Sequence, residues 1–240
     1  MDTPQSGAVT GAKIALVTGA SGNMGQAVVK KFIAEGFKVI GTAAPDDPIP
    51  MDFPATFFEK MVVDLANEEA TTKLVKKILA KYEKIDAVVL TVGGFAMGSI
   101  ADTKTSDVIK QYQLNFETAY NIARPCFMQM QHQGSGRIFL VGSRPGMDAK
   151  SSKGMIAYGL SKSLIFRLAE LMNEEAKGTN VVTSVIVPST IDTPQNRKSM
   201  SAADFSSWVK PEAIADAIHF YCTAAAAALR EPVIKVYNNA

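Results

Sequence analysis

Short apolar segments alternate with longer amphipathic segments along almost the whole chain. The short segments have the length and composition of buried β-strands, whereas the long ones repeat apolar residues at helical spacing. This alternation predicts an α/β fold, a doubly wound parallel sheet of about seven strands with helices on both faces. We expect strands near Lys13–Thr18, Lys38–Thr42, Glu59–Val63, Ala87–Val92, Arg137–Val141, Val181–Val187 and Val233–Tyr237. We expect helices near Met24–Glu35, Glu68–Tyr82, Ser106–Gln131, Met155–Lys177 and Pro211–Leu229, the last of which includes an alanine run.

Length and charge limit the class of protein. A chain of 240 residues suits one domain, which we place at residues 13–240 behind a flexible N-terminal tail at residues 1–12. The net charge of +2 gives no basic surface for nucleic acid, and no apolar run reaches the ~18–20 residues of a membrane span. Cys126 and Cys222 lie far apart and the two histidines share no motif, so we expect reduced thiols, no metal site and a cytoplasmic location.

A glycine-rich turn follows the first predicted strand and precedes the first predicted helix, with the sequence TGASGNMG at residues 18–25. Glycines allow a tight turn, and the start of the helix then offers free N–H groups and a partial positive charge to a pyrophosphate. An ordinary strand–helix turn is the alternative. The position near the N-terminus favours a dinucleotide site, with Gly19, Ser21, Asn23 and Met24 as its contacts.

A tyrosine and a lysine stand four residues apart, at Tyr158 and Lys162, so a helix presents both on one face. A nearby ammonium favours the phenolate and lowers the phenol pKa, which makes the pair a candidate proton donor and acceptor for a carbonyl or an alcohol. Ser143 ends a predicted buried strand fifteen residues before Tyr158, at the edge where open α/β sheets bind ligands.

With these three segments in this order, the chain resembles the short-chain dehydrogenase/reductase family from about Lys13 to Tyr237. The family's Ser–Tyr–Lys set matches Ser143, Tyr158 and Lys162, and its catalytic asparagine matches Asn115. The resemblance implies a Rossmann fold that binds NAD(H) or NADP(H), and a small carbonyl or alcohol substrate that exchanges a hydride with that cofactor. It also implies a homodimer or homotetramer. Further cofactor contacts implied by the resemblance are Asp64, Leu65, Val92, Gly93, Pro188, Ile191 and Thr193, together with Tyr158 and Lys162.

Some positions depart from the family pattern and lead to alternatives. Asn23 replaces the middle glycine of the first turn, and Ser189 replaces the glycine after Pro188. Residues 192–208 and the segment around Phe95 resemble the quinoid dihydropteridine reductase branch, which makes pterin reduction the second candidate. That branch has no serine where Ser143 stands, and it usually ends its second strand with an acid. A non-catalytic dinucleotide-binding regulatory protein is the third candidate, although it would be expected to lose one of the three catalytic residues.

Two further expectations concern loops. The predicted second strand ends at Ala43 without an acid or a base, so we expect weak discrimination between NAD and NADP unless Asp46 or Asp47 turns back to the ribose. The segment from Ser189 to Trp208 contains few apolar residues. It is a candidate lid anchored by Phe205 and Trp208, although Trp208 packing on the next helix is an equal alternative.

Overall fold

A computed structural model describes residues 11–239, and a parallel seven-stranded sheet forms its centre. The strands are β1 Ile14–Thr18, β2 Lys38–Ala43, β3 Phe58–Val62, β4 Ala87–Leu90, β5 Ser135–Val141, β6 Asn180–Pro188 and β7 Val233–Val236. Their order across the sheet is β3-β2-β1-β4-β5-β6-β7, and every pairing is parallel. The predicted fold class is confirmed. The predicted tail lies outside the described residues except for Gly11 and Ala12.

Helices cover both faces of the sheet because successive strand side chains point to opposite sides. The α-helices are α1 Asn23–Ala34, α2 Glu68–Tyr82, α3 Thr105–Tyr112, α4 Thr118–Gln133, α5 Arg144–Met147, α6 Ile156–Glu175, α7 Pro194–Ser199 and α8 Pro211–Phe220. Leu16 of β1 belongs to one buried apolar cluster with helices α2, α4 and α6, whereas its neighbour Val17 belongs to a second cluster with α1 and α8. In the described part of the chain, no helix is long and apolar enough to cross a membrane.

Two helix predictions need correction. The predicted helix Ser106–Gln131 is interrupted by a π-helical segment at Gln113–Glu117, which inserts one wider turn between α3 and α4. The predicted helix Pro211–Leu229 ends at Phe220, and the alanine run contributes only a short 3₁₀ turn at Ala224–Ala226. Alanine favours a helix by propensity, but a helix in a protein is stabilised mainly by burying an apolar face, and this run buries only Ala226. The sequence patterns also missed the short helices α5 and α7.

The direction of chain winding reverses between β1 and β4, which are neighbours at the centre of the sheet. In open α/β sheets the connections leave to opposite sides at such a point and open a crevice beyond the carboxyl ends of the strands. The turn after β1 and the loop after β4 meet there, where the Thr91 hydroxyl donates a hydrogen bond to the Thr18 carbonyl at 2.6 Å. This crevice positions the candidate site.

The turn after β1 brings α1 very close to the strand. A Cβ atom added to Gly25 would lie 2.1 Å from the carbonyl oxygen of Gly19 and 2.9 Å from the Cα of Ala20. Both are backbone atoms, which cannot move aside as the end of a side chain can. Glycine at position 25 is therefore required for this approach of α1 to β1.

We expect Gly25→Ala to lower the free energy of unfolding by about 1–3 kcal/mol, because the added methyl overpacks a fixed backbone turn. Gly22→Ala is the matched control, since a Cβ there would lie 3.4 Å from the Gly19 oxygen and would alter only the helix cap. The Gly22→Ala control should lower the free energy of unfolding by less than about 1 kcal/mol. Urea unfolding of both variants measures the difference, and equal stabilities would contradict the close approach.

Candidate active site

The sequence-predicted residues lie at the carboxyl edge of the sheet on five of its strands. Gly19, Ser21, Asn23 and Met24 follow β1; Asp64 and Leu65 follow β3; Val92 and Gly93 follow β4; Ser143 follows β5; and Ile191 and Thr193 follow β6, which ends at Pro188. Tyr158 and Lys162 lie in the first two turns of α6, and Asn115 lies in the π-helical segment.

Tyr158 and Ser143 meet through their hydroxyl groups, which are hydrogen-bonded to each other. The Ser143 oxygen also accepts a bond from the Gly146 amide at 3.3 Å, because Ser143 caps helix α5. Burial raises the pKa of Tyr158, and the bond to Ser143 opposes this rise. Tyr158 therefore stays protonated at neutral pH, as a proton donor must.

Lys162 is the most buried charged side chain of the site, at 4% exposure. Its Nζ donates a hydrogen bond to the Val141 carbonyl at 2.8 Å, which ties α6 to the end of β5. Burial lowers the pKa of Lys162 to about 8. The expected lowering of the Tyr158 pKa by this lysine is not seen in the structure: burial dominates, and Ser143 is the group that opposes it. The physical reason is that desolvation disfavours charge on both members of the pair.

Asn115 is fully buried and joins three elements. Its Oδ1 accepts a bond from the Gly94 amide at 2.9 Å, and its Nδ2 donates to the Gly94 carbonyl at 3.0 Å. The same Nδ2 lies 2.9 Å from Gln111 Oε1 and 3.2 Å from Ser161 Oγ. The π-helical turn thus aims this amide at the loop after β4 and at α6. The sequence patterns missed Gln111 and Ser161. The only signal for Gln111 is its spacing of four residues from Asn115, and the only signal for Ser161 is its position next to Lys162.

Gly93 lies between the asparagine and the lysine. A Cβ atom there would be 2.7 Å from Asn115 Oδ1 and 3.2 Å from Lys162 Nζ. A side chain at this position would push against both polar groups at once. The glycine therefore allows the loop after β4 to approach the site closely.

The turn after β1 has the features of a phosphate-binding turn. Gly19 adopts a positive φ of 60°, and Gly22 precedes α1 without any side-chain cap, so the first amides of the helix remain available to a ligand. Asn23 is exposed at the start of α1, whereas the Met24 side chain is buried beneath it. The residues present thus fit a dinucleotide pyrophosphate.

The remaining predicted cofactor contacts lie on both sides of this turn. Asp64 is exposed, and its carboxylate accepts a bond from the Ala66 amide at 3.0 Å; the Leu65 carbonyl accepts one from Asn121 at 3.0 Å. After β6, Thr193 caps α7 and the Ile191 carbonyl accepts a bond from Asn196 at 2.8 Å. These residues lie at the same edge of the sheet but make no described bond to the Ser143–Tyr158 pair.

The segment after β6, up to Trp208, is held by contacts among its own side chains. Trp208 is 6% exposed and packs against the Phe205 ring at 4.7 Å between centroids. Arg197 forms an ion pair with Asp192, with bonds of 2.5 and 2.8 Å, and its guanidinium lies 4.7 Å from the Phe205 ring. This segment lines a pocket of about 590 Å³ that Ser143, Tyr158 and Lys162 do not line. The contact between Trp208 and Phe205 is compatible with both alternatives, so packing of Trp208 on the next helix and motion of the segment both stay predictions.

An exposed aromatic side chain lies beside Tyr158. The Phe95 ring meets the Tyr158 ring edge-on at 5.1 Å between centroids and is 61% exposed. Met97 and Ile100 on the same loop are also mostly exposed, so this loop presents several apolar side chains to solvent.

Comparison with known proteins identifies relatives of the same architecture. A family model described as short chain dehydrogenase matches residues 13–204. The chain is 26% identical to an acetoacetyl-CoA reductase of Acinetobacter sp. (strain RA3849) over 189 residues, 76% of this chain and 75% of the relative. It is 28% identical to a dihydropteridine reductase of Dictyostelium discoideum over 211 residues, 87% of each chain. The solved structure of ElxO with NADP bound superposes with a TM-score of 0.85 at 21% identity, covering 94% of this chain and 97% of that one.

We expect the stability of the protein to depend on the protonation of Lys162. Because the pKa of Lys162 is about 8 in the folded state and about 10.5 in the unfolded state, the unfolded state binds more protons between these pH values. Stability therefore rises with pH across this window, by up to about 3 kcal/mol from this group.

Lys162→Met removes the titrating group, so wild type should gain stability relative to this variant as the pH rises from about 8 to about 10.5. The difference between the two proteins isolates Lys162 from the other groups that titrate here. Denaturant unfolding at both ends of the window measures it. A difference that does not change with pH would show that the lysine is not buried as described.

Proposed function

The chain belongs to the short-chain dehydrogenase family, and from that premise we propose that Ser143, Tyr158 and Lys162 form the catalytic site of an NAD(P)-dependent carbonyl reductase or alcohol dehydrogenase. The observation that carries the proposal is the hydrogen-bonded Ser143–Tyr158 pair with a buried lysine one turn away. The pair lies at the sheet edge that also holds the glycine-rich turn. The substrate would be a small carbonyl or alcohol.

Tyr158 is the proton donor in this proposal. A nicotinamide cofactor, when bound, would supply the hydride for a carbonyl carbon or accept it from the carbon of an alcohol. The Tyr158 hydroxyl gives its proton to the oxygen that becomes an alcohol, and the Ser143 hydroxyl hydrogen-bonds the same oxygen and orients it. A raised pKa suits this role because it keeps the phenol protonated before the reaction.

Lys162 and Asn115 support the tyrosine. With a pKa of about 8, the Lys162 amine can take up and release a proton near neutral pH, and the Val141 carbonyl fixes its position. By family resemblance it would also hold the nicotinamide ribose. Asn115 positions the loop after β4 through both of its bonds to Gly94 and would support the path by which the proton is replaced.

The cofactor would be held by the chain's own backbone and side chains along the crevice. The open amides of α1, after Gly19 and Ser21, would bind the pyrophosphate. Asp64 and Leu65 would lie on the adenine side, and Val92 and Gly93 would contact the cofactor from the loop after β4. Ile191 and Thr193 would hold the carboxamide, and Pro188 would be a further cofactor contact.

Tyr158→Phe keeps the ring and removes the proton, so we expect it to abolish turnover while the dissociation constant of the reduced cofactor stays within about threefold of wild type. Ser143→Ala removes an orienting hydrogen bond and should lower kcat by a smaller factor, about 10²–10³. Steady-state kinetics and cofactor titration measure both. Near-normal turnover of Tyr158→Phe would rule out its role.

Pterin reduction is the second candidate, since the Dictyostelium dihydropteridine reductase matches 87% of the chain and an exposed aromatic ring, Phe95, stands beside Tyr158. A flat heterocycle could pack on such a ring. Oxidation of NADH and NADPH with a panel of aldehydes, ketones, quinones and quinonoid pterins distinguishes the two candidates. A preference for pterins together with an unaffected Ser143→Ala variant would favour the second.

We also propose that the protein is a two-fold homo-oligomer, either a dimer or a tetramer, and that it is cytoplasmic. Helices α3, α4 and α6 present exposed apolar side chains on one side of the sheet. They are Ile109, Tyr112, Tyr120, Met128, Leu160, Leu164 and Leu171. An isologous contact would bury these helices against their copies.

Leu171→Lys should dissociate this oligomer, because it places a charge in the proposed contact away from the catalytic residues. Leu171 is 50% exposed. Leu229→Lys is the matched control, since Leu229 is 41% exposed but lies outside these helices. Light scattering at micromolar concentration measures the mass. A monomeric wild type, or equal behaviour of the two variants, would contradict the proposed face.

A further inference from the structure

The end of β2 lacks the residue that usually selects the cofactor in this architecture. Acids at this place bind the adenosine ribose 2′-hydroxyl, and basic residues bind a 2′-phosphate. Here the strand ends at Ala43, followed by the exposed Ala44. From the sequence alone, this end of the strand favours neither cofactor.

An acid from the following loop occupies this position instead. The chain turns sharply after β2, where the Asp47 amide donates a bond to the Ala44 carbonyl at 3.2 Å. This turn directs the Asp47 side chain back to the glycine-rich turn, where its Oδ2 accepts a hydrogen bond from the Ser21 hydroxyl. Its Oδ1 accepts a second bond from the Ile49 amide at 2.9 Å, so both carboxylate oxygens are fixed.

The position of Ser21 locates the carboxylate relative to the cofactor turn. Ser21 is 5% exposed and lies just before α1. The preceding Ala20 amide bonds to the Thr42 carbonyl at 3.0 Å, which holds the turn against β2. Asp47 thus stands between the glycine-rich turn and the end of β2, where an adenosine ribose is bound in this architecture.

The carboxylate carries its full charge at neutral pH. The bonds from Ser21 and Ile49 lower the pKa of Asp47, in that order of size. Lys60 on β3 also lowers the pKa, but less than either hydrogen bond. Lys60 is exposed, so its charge is screened by solvent.

We infer that Asp47 determines the cofactor specificity of this protein, by accepting a hydrogen bond from the ribose 2′-hydroxyl of NAD(H) and repelling the 2′-phosphate of NADP(H). The inference rests on the proposed cofactor site. It replaces the weak discrimination predicted from the sequence with a preference for NADH. A carboxylate near a phosphate is unfavourable even in water, and an effect of at least about tenfold in affinity follows.

Direct binding tests the inference without any need for a substrate. Titrations of NADH and of NADPH, followed by calorimetry or by quenching of the single tryptophan, give both dissociation constants under one set of conditions. The variants are Asp47→Asn, which keeps the shape and loses the charge, and Asp47→Glu, which keeps the charge. Asp46→Asn is the matched control, because the neighbouring Asp46 is exposed. Lys60→Gln tests the basic residue whose charge acts on Asp47.

Wild type should bind NADH at least about tenfold more tightly than NADPH. Asp47→Asn should tighten NADPH about tenfold and weaken NADH several-fold, whereas Asp46→Asn should change neither constant and Asp47→Glu should keep the preference for NADH.

Tight binding of both nucleotides with equal constants would overturn the role of Asp47 and leave the cofactor site standing. A preference for NADPH that is lost in Lys60→Gln would also overturn it, in favour of the lysine. Binding of neither nucleotide would overturn the cofactor site itself, and the inference with it.

Discussion

The buried amine of Lys162 is the constraint on which the candidate site depends. A charged amine away from water is costly, so its neighbours must be arranged to hold it. The Val141 carbonyl accepts its hydrogen bond at the end of β5, and the glycine at position 93 leaves room for it beside Asn115. The π-helical turn brings Asn115 to the next residue of that loop, Gly94, and to Ser161 on α6. Lys162 and Asn115 together thus connect two strand ends and two helices around the tyrosine.

The electrostatics of this arrangement suit proton transfer in the direction of carbonyl reduction. Burial raises the pKa of Tyr158, which keeps the phenol protonated at neutral pH. Burial also lowers the pKa of Lys162 to about 8, which is close to neutral pH. The tyrosine can then give a proton, and the lysine can exchange one with its surroundings. Desolvation is the dominant cause of both pKa shifts, so the burial of the site is part of its chemistry.

The strands and most helices follow from the sequence because their apolar patterns match their structural periods. All seven strands were predicted to within about two residues at each end. The sequence did not predict the π-helical turn at Asn115, since one extra residue in a turn leaves the apolar pattern of the flanking helices unchanged. The helix predicted for the alanine run was wrong because helix propensity is a local property, whereas the conformation of the run depends on how much apolar surface it can bury. The return of Asp47 to Ser21 also depends on a loop path that has no periodic signal.

Hydride transfer is the step that the proposed roles of Ser143, Tyr158 and Lys162 all serve. Reduced cofactor that carries deuterium at the transferable position tests it directly, when incubated with the purified protein and a panel of small aldehydes, ketones, quinones and quinonoid pterins. We expect deuterium on the carbon of the alcohol formed from an aldehyde or a ketone, as detected by mass spectrometry. Cofactor that binds tightly but keeps its deuterium with every acceptor, quinones and quinonoid pterins included, would contradict this expectation and identify a dinucleotide-binding protein without turnover.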